Sequence, residues 1–297
     1  MKIVITGAKG QLGNELSTIL KNGYSEIGPI NKEYNDCEIM AVDAEKMDVT
    51  ISEKVFSFLC KEKPDIVINC AAMTNVDGCE TNFETAMKVN AIGPFNLAKS
   101  CNKIGAKLVH ISTDYVFSGD ATLPYCEWDV CSPTSIYGKS KFLGEQYVKE
   151  QCSKYFIVRT SWLYGYVGKN FVRTMLNLGK EKKQIKVVND QIGNPTNAND
   201  LAHHILKIAL TNNYGIYHCT GSGEASWFDF ASLIMKYAEL DCEVLPCSTD
   251  EFPSPTKRPV FSSLNNLMLS CTVGDEMRPW QDALSTYINT LKKECIL

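Results

Sequence analysis

Residues 2–20 constrain the fold more than any other stretch of the chain. Lys2-Ile3-Val4-Ile5 reads as a short apolar strand, and Thr6-Gly7-Ala8-Lys9-Gly10-Gln11-Leu12-Gly13 follows it directly. Glu15 to Leu20 then reads as a helix whose apolar face is Leu12, Leu16, Ile19 and Leu20. A strand that turns through glycines into a helix sets unpaired N–H groups at the strand's carboxyl end, where a dinucleotide pyrophosphate binds. Gly7 permits the tight turn, Gly10 lets the backbone approach the phosphates, and Gly13 allows close helix–strand packing. The spacing is G-x-x-G-x-x-G rather than G-x-G-x-x-G, so its placement at the first βα turn carries the weight.

The rest of the first half repeats the alternation. Glu38 to Asp43 is a second strand ending in an acid, reached through a polar, irregular insertion from Tyr24 to Asp36. The Asp43 carboxylate suits the ribose hydroxyls of NAD. The next residue, Ala44, offers no guanidinium to the extra phosphate of NADP. Asp48-Val49 follows as a candidate cap for the adenine. A helix from Ile51 to Lys61 leads to a strand from Pro64 to Asn69, and Cys70-Ala71-Ala72-Met73-Thr74 leaves it with mostly small residues, as a backbone passing close to a cofactor requires. Asn75 to Glu84 reads as a polar loop, and Glu84 to Lys103 as one long helix holding Asn90. The pattern predicts an α/β fold: a Rossmann-type doubly wound parallel sheet with a smaller mixed α/β substrate domain. The expected dinucleotide-binding part is 1–160, with 184–220 returning to it through a helix from Asn199 to Leu210 and a strand near Ile216; 161–183 and 221–297 form the substrate domain.

The chemistry is expected between His110 and Lys141. Val109-His110-Ile111-Ser112-Thr113-Asp114-Tyr115-Val116-Phe117 runs out of apolar residues at its carboxyl end and delivers a hydroxyl, Thr113, where open sheets bind ligands. After a helix-start signal at Ser132-Pro133-Thr134, Tyr137-Gly138-Lys139-Ser140-Lys141 sets Tyr137 and Lys141 four residues apart on one helical face. An ammonium about 5 Å from a phenol stabilises the phenolate by roughly 3 kcal/mol at an effective dielectric near 20, about two pKa units. Such a phenol suits proton exchange in a carbonyl–alcohol interconversion. Trp162, leaving the strand Ile157-Val158-Arg159-Thr160, is a candidate apolar wall. The loop Pro253-Ser254-Pro255-Thr256-Lys257-Arg258-Pro259 offers cations to an anionic substrate.

Composition excludes several classes. A net charge of −4 over 297 residues argues against a nucleic-acid surface, and no run of 18 apolar residues offers a membrane span. The strand at residue 3 leaves no room for a signal peptide. Thirteen cysteines, odd in number, scattered and without C-x-x-C, read as free thiols in a reducing cytoplasm rather than a disulfide or zinc framework.

With these motifs the chain resembles the extended short-chain dehydrogenase/reductases, and within them the dTDP-4-dehydrorhamnose reductases, over nearly its whole length. The likeness rests on residues 7–13, 112–117 and 137–141, on Arg159-Thr160-Ser161-Trp162-Leu163-Tyr164-Gly165, and on Asp190-Gln191-Ile192-Gly193-Asn194-Pro195-Thr196. The resemblance implies that Gly10, Gln11, Leu12, Asp43, Asp48, Val49, Ala71, Ala72, Met73 and Thr74 hold NADH, with NADPH the second candidate. It implies that Tyr137 donates the proton while Lys141 binds the nicotinamide ribose, that Thr113 and Asp114 contact the sugar, and that Trp162 lines its pocket. The implied reaction is reduction of the C4 ketone of dTDP-4-dehydro-L-rhamnose to dTDP-L-rhamnose. Some relatives dimerise through magnesium held by carboxylates. Here Glu15 is present but Asn199 stands where an acid is expected, so no metal is expected and a homodimer is left open. A nucleotide-sugar epimerase, a reductase of a neighbouring keto-deoxysugar, and a catalytically silent regulatory relative are the alternatives.

Overall fold

The computed structural model describes residues 1–252 and 254–294. Six parallel strands carry it: β1 (Lys2–Thr6), β2 (Glu38–Val42), β3 (Ile66–Asn69), β4 (Lys107–Thr113), β5 (Tyr155–Thr160) and, later in the chain, β10 (Gly215–His218). Their spatial order is β10-β5-β4-β3-β1-β2. The chain leaves β1 for β2 on one side, then returns for β3 on the other. Loops after β1 and β3 therefore diverge, and the crevice between them is the ligand site of such sheets.

Strand alternation divides the core in two. Ile3, Ile5, Ile66, Ile68, Val109 and Val158 face α1 (Gln11–Asn22) and α8 (Ala198–Leu210). Val4, Val67, Leu108 and Ile157 face α2 (Ser52–Glu62), α5 (Gly93–Ile104) and α6 (Ile136–Gln151). The predicted face of α1 is buried, with Leu12, Leu16, Ile19 and Leu20 each at most 6% exposed. Each such side chain contributes on the order of 1.5–3 kcal/mol.

Two expectations for residues 75–104 are corrected. The polar loop holds a helical turn, α3 (Val76–Thr81), started by Asn75, whose Oδ1 accepts from Gly78 N at 3.0 Å. It forms because Val76 and Cys79, three residues apart, pack beneath Tyr137. The single long helix is three pieces: α4 (Phe83–Met87), a π turn over Lys88–Ile92, and α5. Such a turn inserts one residue into the helical ladder and re-aims the side chains around it.

The smaller lobe holds β6 (Leu163–Tyr164), α7 (Phe171–Glu181), β7 (Gln184–Val188), β8 (Ile192–Gly193), β9 (Thr196–Asn197), β11 (Ala225–Ser226), α9 (Trp227–Ala238), β12 (Glu243–Cys247) and α11 (Trp280–Lys293). Its core is Phe230, Ile234, Leu284, Tyr287 and their neighbours. The expected return of 184–220 to the large sheet is narrower than drawn: β7 pairs with β12, and only α8 and β10 rejoin. Conversely, α10 (Leu267–Thr272) belongs with the first core, where Leu269 and Met277 are buried. An apolar run reveals a strand, but its partner is chosen by packing far away in sequence. Among the described residues no helix is long and apolar enough to cross a membrane, and twelve cysteines are free thiols.

Candidate active site

Helix α6 is started by Ser135, whose Oγ accepts from Gly138 N at 3.0 Å. Tyr137, Lys141 and Glu145 follow at four-residue spacing and are 9%, 2% and 0% exposed. Helix α6 lies close to its neighbours because it carries glycines: a Cβ on Gly144 would run into the carbonyl oxygen of Asn90. Asn90 sits in the π turn. Its Oδ1 accepts from Met73 N (2.8 Å), and its Nδ2 donates to Met73 O (3.0 Å) and Ser140 Oγ (3.0 Å). One side chain thus ties the loop after β3 to α6.

Burial governs the electrostatics. It pushes the Tyr137 phenol well above its ordinary range, and the Thr113 hydroxyl works only partly against it. Lys141, expected to hold the phenol down, donates from Nζ to the Ile111 carbonyl at 2.5 Å. Burial brings Lys141 itself down to about 8, with Glu145 and Cys70 pulling it back up. Thr113 Oγ1 donates to Asp114 Oδ1 at 2.9 Å, and burial raises the Asp114 carboxyl to about 6. Beneath them Glu145 takes two hydrogen bonds from Arg159, at 2.9 and 2.7 Å, and one from Ser112 Oγ at 2.5 Å.

Ser112, Thr113, Asp114, Tyr137 and Lys141 line one cleft of about 420 Å³ at the carboxyl ends of β1, β3, β4 and β5. Gly7, Gly10, Gln11, Leu12, Gly13, Ala72 and Thr74, all expected at the cofactor, line one part of it. Thr113, Asp114, Tyr137, Lys141, Trp162 and Arg258 form the other. The remaining expected cofactor residues stand off it. Asp43 pairs with Lys9, Asp48 accepts from Thr50, Val49 packs against Gly93, Ala71 N donates to Thr6, and Met73 is held by Asn90. Of the loop 253–259, Pro253 lies outside the described residues.

The family model described as the RmlD substrate binding domain matches residues 1–293. The chain belongs to this family. Over 295 residues it is 40% identical to the spore coat polysaccharide biosynthesis protein SpsK of Bacillus subtilis, covering 99% of each chain. A solved dTDP-4-dehydrorhamnose reductase of Clostridium acetobutylicum shares 48% identity at a TM-score of 0.93, covering 98% of this chain and 100% of that one. The Bacillus anthracis dTDP-4-dehydrorhamnose reductase, solved in complex with NADP, shares 44% at 0.90, covering 97% and 99%. With the RmlD family comes the class, an NAD(P)H-dependent oxidoreductase.

The cleft of this RmlD-family chain fits a dinucleotide on its own geometry. Gly7 takes φ +63, and a Cβ there would lie 2.7 Å from the Cys70 carbonyl carbon. Helix α1 begins at Gly10 with no side-chain cap and no acid in its first turn, leaving its first N–H groups for a phosphate. For a metal the fit is poor. Glu15 accepts from Asn199 Nδ2 at 3.0 Å, and no group of three acidic, His or Cys ligands occurs among the described residues.

Sequence reasoning missed Trp227. Its indole stacks on Trp162, with ring centroids 3.5 Å apart and planes within 5°, and both line the cleft. The capping box of Ser226 and Asp229 marks where α9 starts, but nothing local says that its first residue faces β5. Lys9 and Asn170, which donates to Gln11 Oε1 at 3.0 Å, were missed for the same reason.

Proposed function

We propose that this protein reduces the C4 ketone of dTDP-4-dehydro-L-rhamnose to the alcohol of dTDP-L-rhamnose, with Tyr137 as the proton donor. The observation that carries this reading is the meeting, in one cleft, of the buried Tyr137 phenol, Lys141 and the Thr113 hydroxyl, with an uncapped helix end on one side and two stacked indoles on the other. A bound NADH or NADPH supplies the hydride to C4.

The chain's own groups do the rest. Tyr137 keeps its proton near neutrality and delivers it to the carbonyl oxygen as the alkoxide charge develops. Thr113 gives its one hydroxyl proton to Asp114 and accepts from Tyr115 N, so toward the cleft it offers a lone pair to a hydroxyl of the sugar. Lys141 sits where its positive charge favours the phenolate left after proton transfer. The face of Trp162 gives the 6-methyl of the sugar an apolar wall, and Arg258 meets the charge of the nucleotide arm.

Following cofactor oxidation at 340 nm with freshly made dTDP-4-dehydro-L-rhamnose, beside its UDP counterpart, tests the proposal. Turnover of the dTDP sugar to the rhamnose product is expected. No turnover with either, or a purified protein that carries tightly held NAD and interconverts epimers, overturns it in favour of a silent relative or an epimerase.

A further inference from the structure

A second, more apolar cleft of about 390 Å³ adjoins the first, and Trp227 and Arg258 line both. Ser254, Pro255, Thr256 and Arg258 line this second cleft together with Phe171, Met175 and Val187. After Arg258 the chain is pinned by its backbone: Val260 O accepts from Ile192 N (2.8 Å) and Phe261 N donates to Gly119 O (3.0 Å). Before that point, among the described residues, side chains of the strap 254–258 converge on a single carboxylate of α3. Ser254 Oγ donates to Asp77 Oδ1 at 3.0 Å, and Arg258 Nη2 to Asp77 Oδ2 at 3.1 Å. Arg258 Nη1 donates to Tyr115 OH at 3.2 Å. The guanidinium is thereby held on two edges at the junction of the clefts.

We propose that Asp77 is a positioning residue for substrate: it latches the strap 254–258 across that junction, so that Arg258 grips the diphosphate of a nucleotide sugar lying in both clefts. This rests on the functional reading above and adds the device that sets the nucleotide arm. A ligand with a sugar at Tyr137 and a planar base in an apolar cleft must pass its diphosphate between them, where the fork of Arg258 stands. Asp77 also repels that diphosphate. The repulsion is screened at this half-exposed site, whereas a strap released from Asp77 loses backbone entropy at every residue when the ligand orders it. Holding outweighs repelling.

The test uses the full chain with saturating cofactor. In Asp77→Asn, KM for the dTDP sugar rises about tenfold, the scale of one charge-assisted hydrogen bond; kcat and NADPH affinity stay near wild type, and Asp77→Glu recovers part of the loss. Trypsin cuts after Lys257 faster in Asp77→Asn than in wild type, and added dTDP slows the cut in wild type. An unchanged KM, or KM, cofactor affinity and melting temperature worsening together, overturns the proposal. If the wild type does not reduce the dTDP sugar, the functional reading fails separately and the protease arm still decides the latch: unchanged cleavage in Asp77→Asn defeats it.

Discussion

The Lys9 ammonium lies 2.5 Å from the Asp43 carboxylate and joins the glycine turn after β1 to the end of β2. The Lys9 hydrogen bond is the main cause holding the Asp43 carboxyl below its usual range. Sequence reasoning weighed Asp43 against Ala44 and expected a preference for NADH. The structure adds a cation at the same spot, 75% exposed at its side chain. If the adenosine ribose of the proposed cofactor lies at this turn, the pair offers it a carboxylate for ribose hydroxyls and an ammonium for a 2′-phosphate. We expect Lys9→Ala to lower kcat/KM with NADPH by roughly fivefold, the scale of one exposed charge pair, and to leave NADH nearly unchanged. Asp43→Ala should weaken NADH more than NADPH. Equal losses with the two cofactors would remove Lys9 from cofactor choice.

Trp162 has φ +46, a left-handed backbone that bulky residues rarely adopt. The strain is held by Trp227 on one face and by Gly193, where a Cβ would come within 2.7 Å of the indole. Because Trp162 is only partly buried and lines the cleft, Trp162→Ala should cost less stability than the roughly 3–5 kcal/mol of a core truncation. It should raise KM for the sugar and spare cofactor affinity. Thermal unfolding and cofactor titration beside the kinetics check this; a large fall in melting temperature with weaker NADH binding returns Trp162 to the core.

The alkaline limb of kcat/KM should come from Lys141. Burial lowers this ammonium to about 8, while the Tyr137 phenol is pushed up out of the working range. The groups facing it are Glu145 on α6, Cys70 after β3 and His110 on β4, the last kept neutral by burial. Above about pH 8 the ammonium is lost, and activity falls with it. Stability moves the other way: the folded value lies below the unfolded one, so the charged form is penalised below pH 8 and the penalty fades as pH rises toward 10.5. A pH profile should show the limb near 8, and Lys141→Arg should move it out of range. A limb that stays in place in Lys141→Arg belongs to another group.

Glu145 and Arg159 bind α6 to β5 from below, at 0% and 2% exposure. Glu145→Gln strands a buried guanidinium and should cost about 3–5 kcal/mol in a urea melt. A loss below about 1 kcal/mol, the surface-pair scale, would contradict that burial.

Much of this was legible in the sequence because it is local. The glycine turn, the alternating strands and the Tyr137–Lys141 spacing are each fixed within a few residues. What escaped depends on distant partners. Val76 and Cys79 become helical because Tyr137 lies over them; the π turn at Asn90 answers to the Met73 backbone. β7 finds β12 across some sixty intervening residues. Trp227 and Asp77 carry no motif and Lys9 is an unassigned position of the glycine turn; only the folded chain sets Trp227 at the cleft, Asp77 beside Arg258 and Lys9 against Asp43.

The central claim is that Tyr137 supplies the proton. Single-turnover and steady-state rates of Tyr137→Phe with dTDP-4-dehydro-L-rhamnose, beside a cofactor titration, test it most directly. Turnover should fall by at least about 100-fold, the scale of general acid catalysis, with cofactor affinity unchanged. A mutant that keeps more than about a tenth of wild-type turnover would contradict the claim.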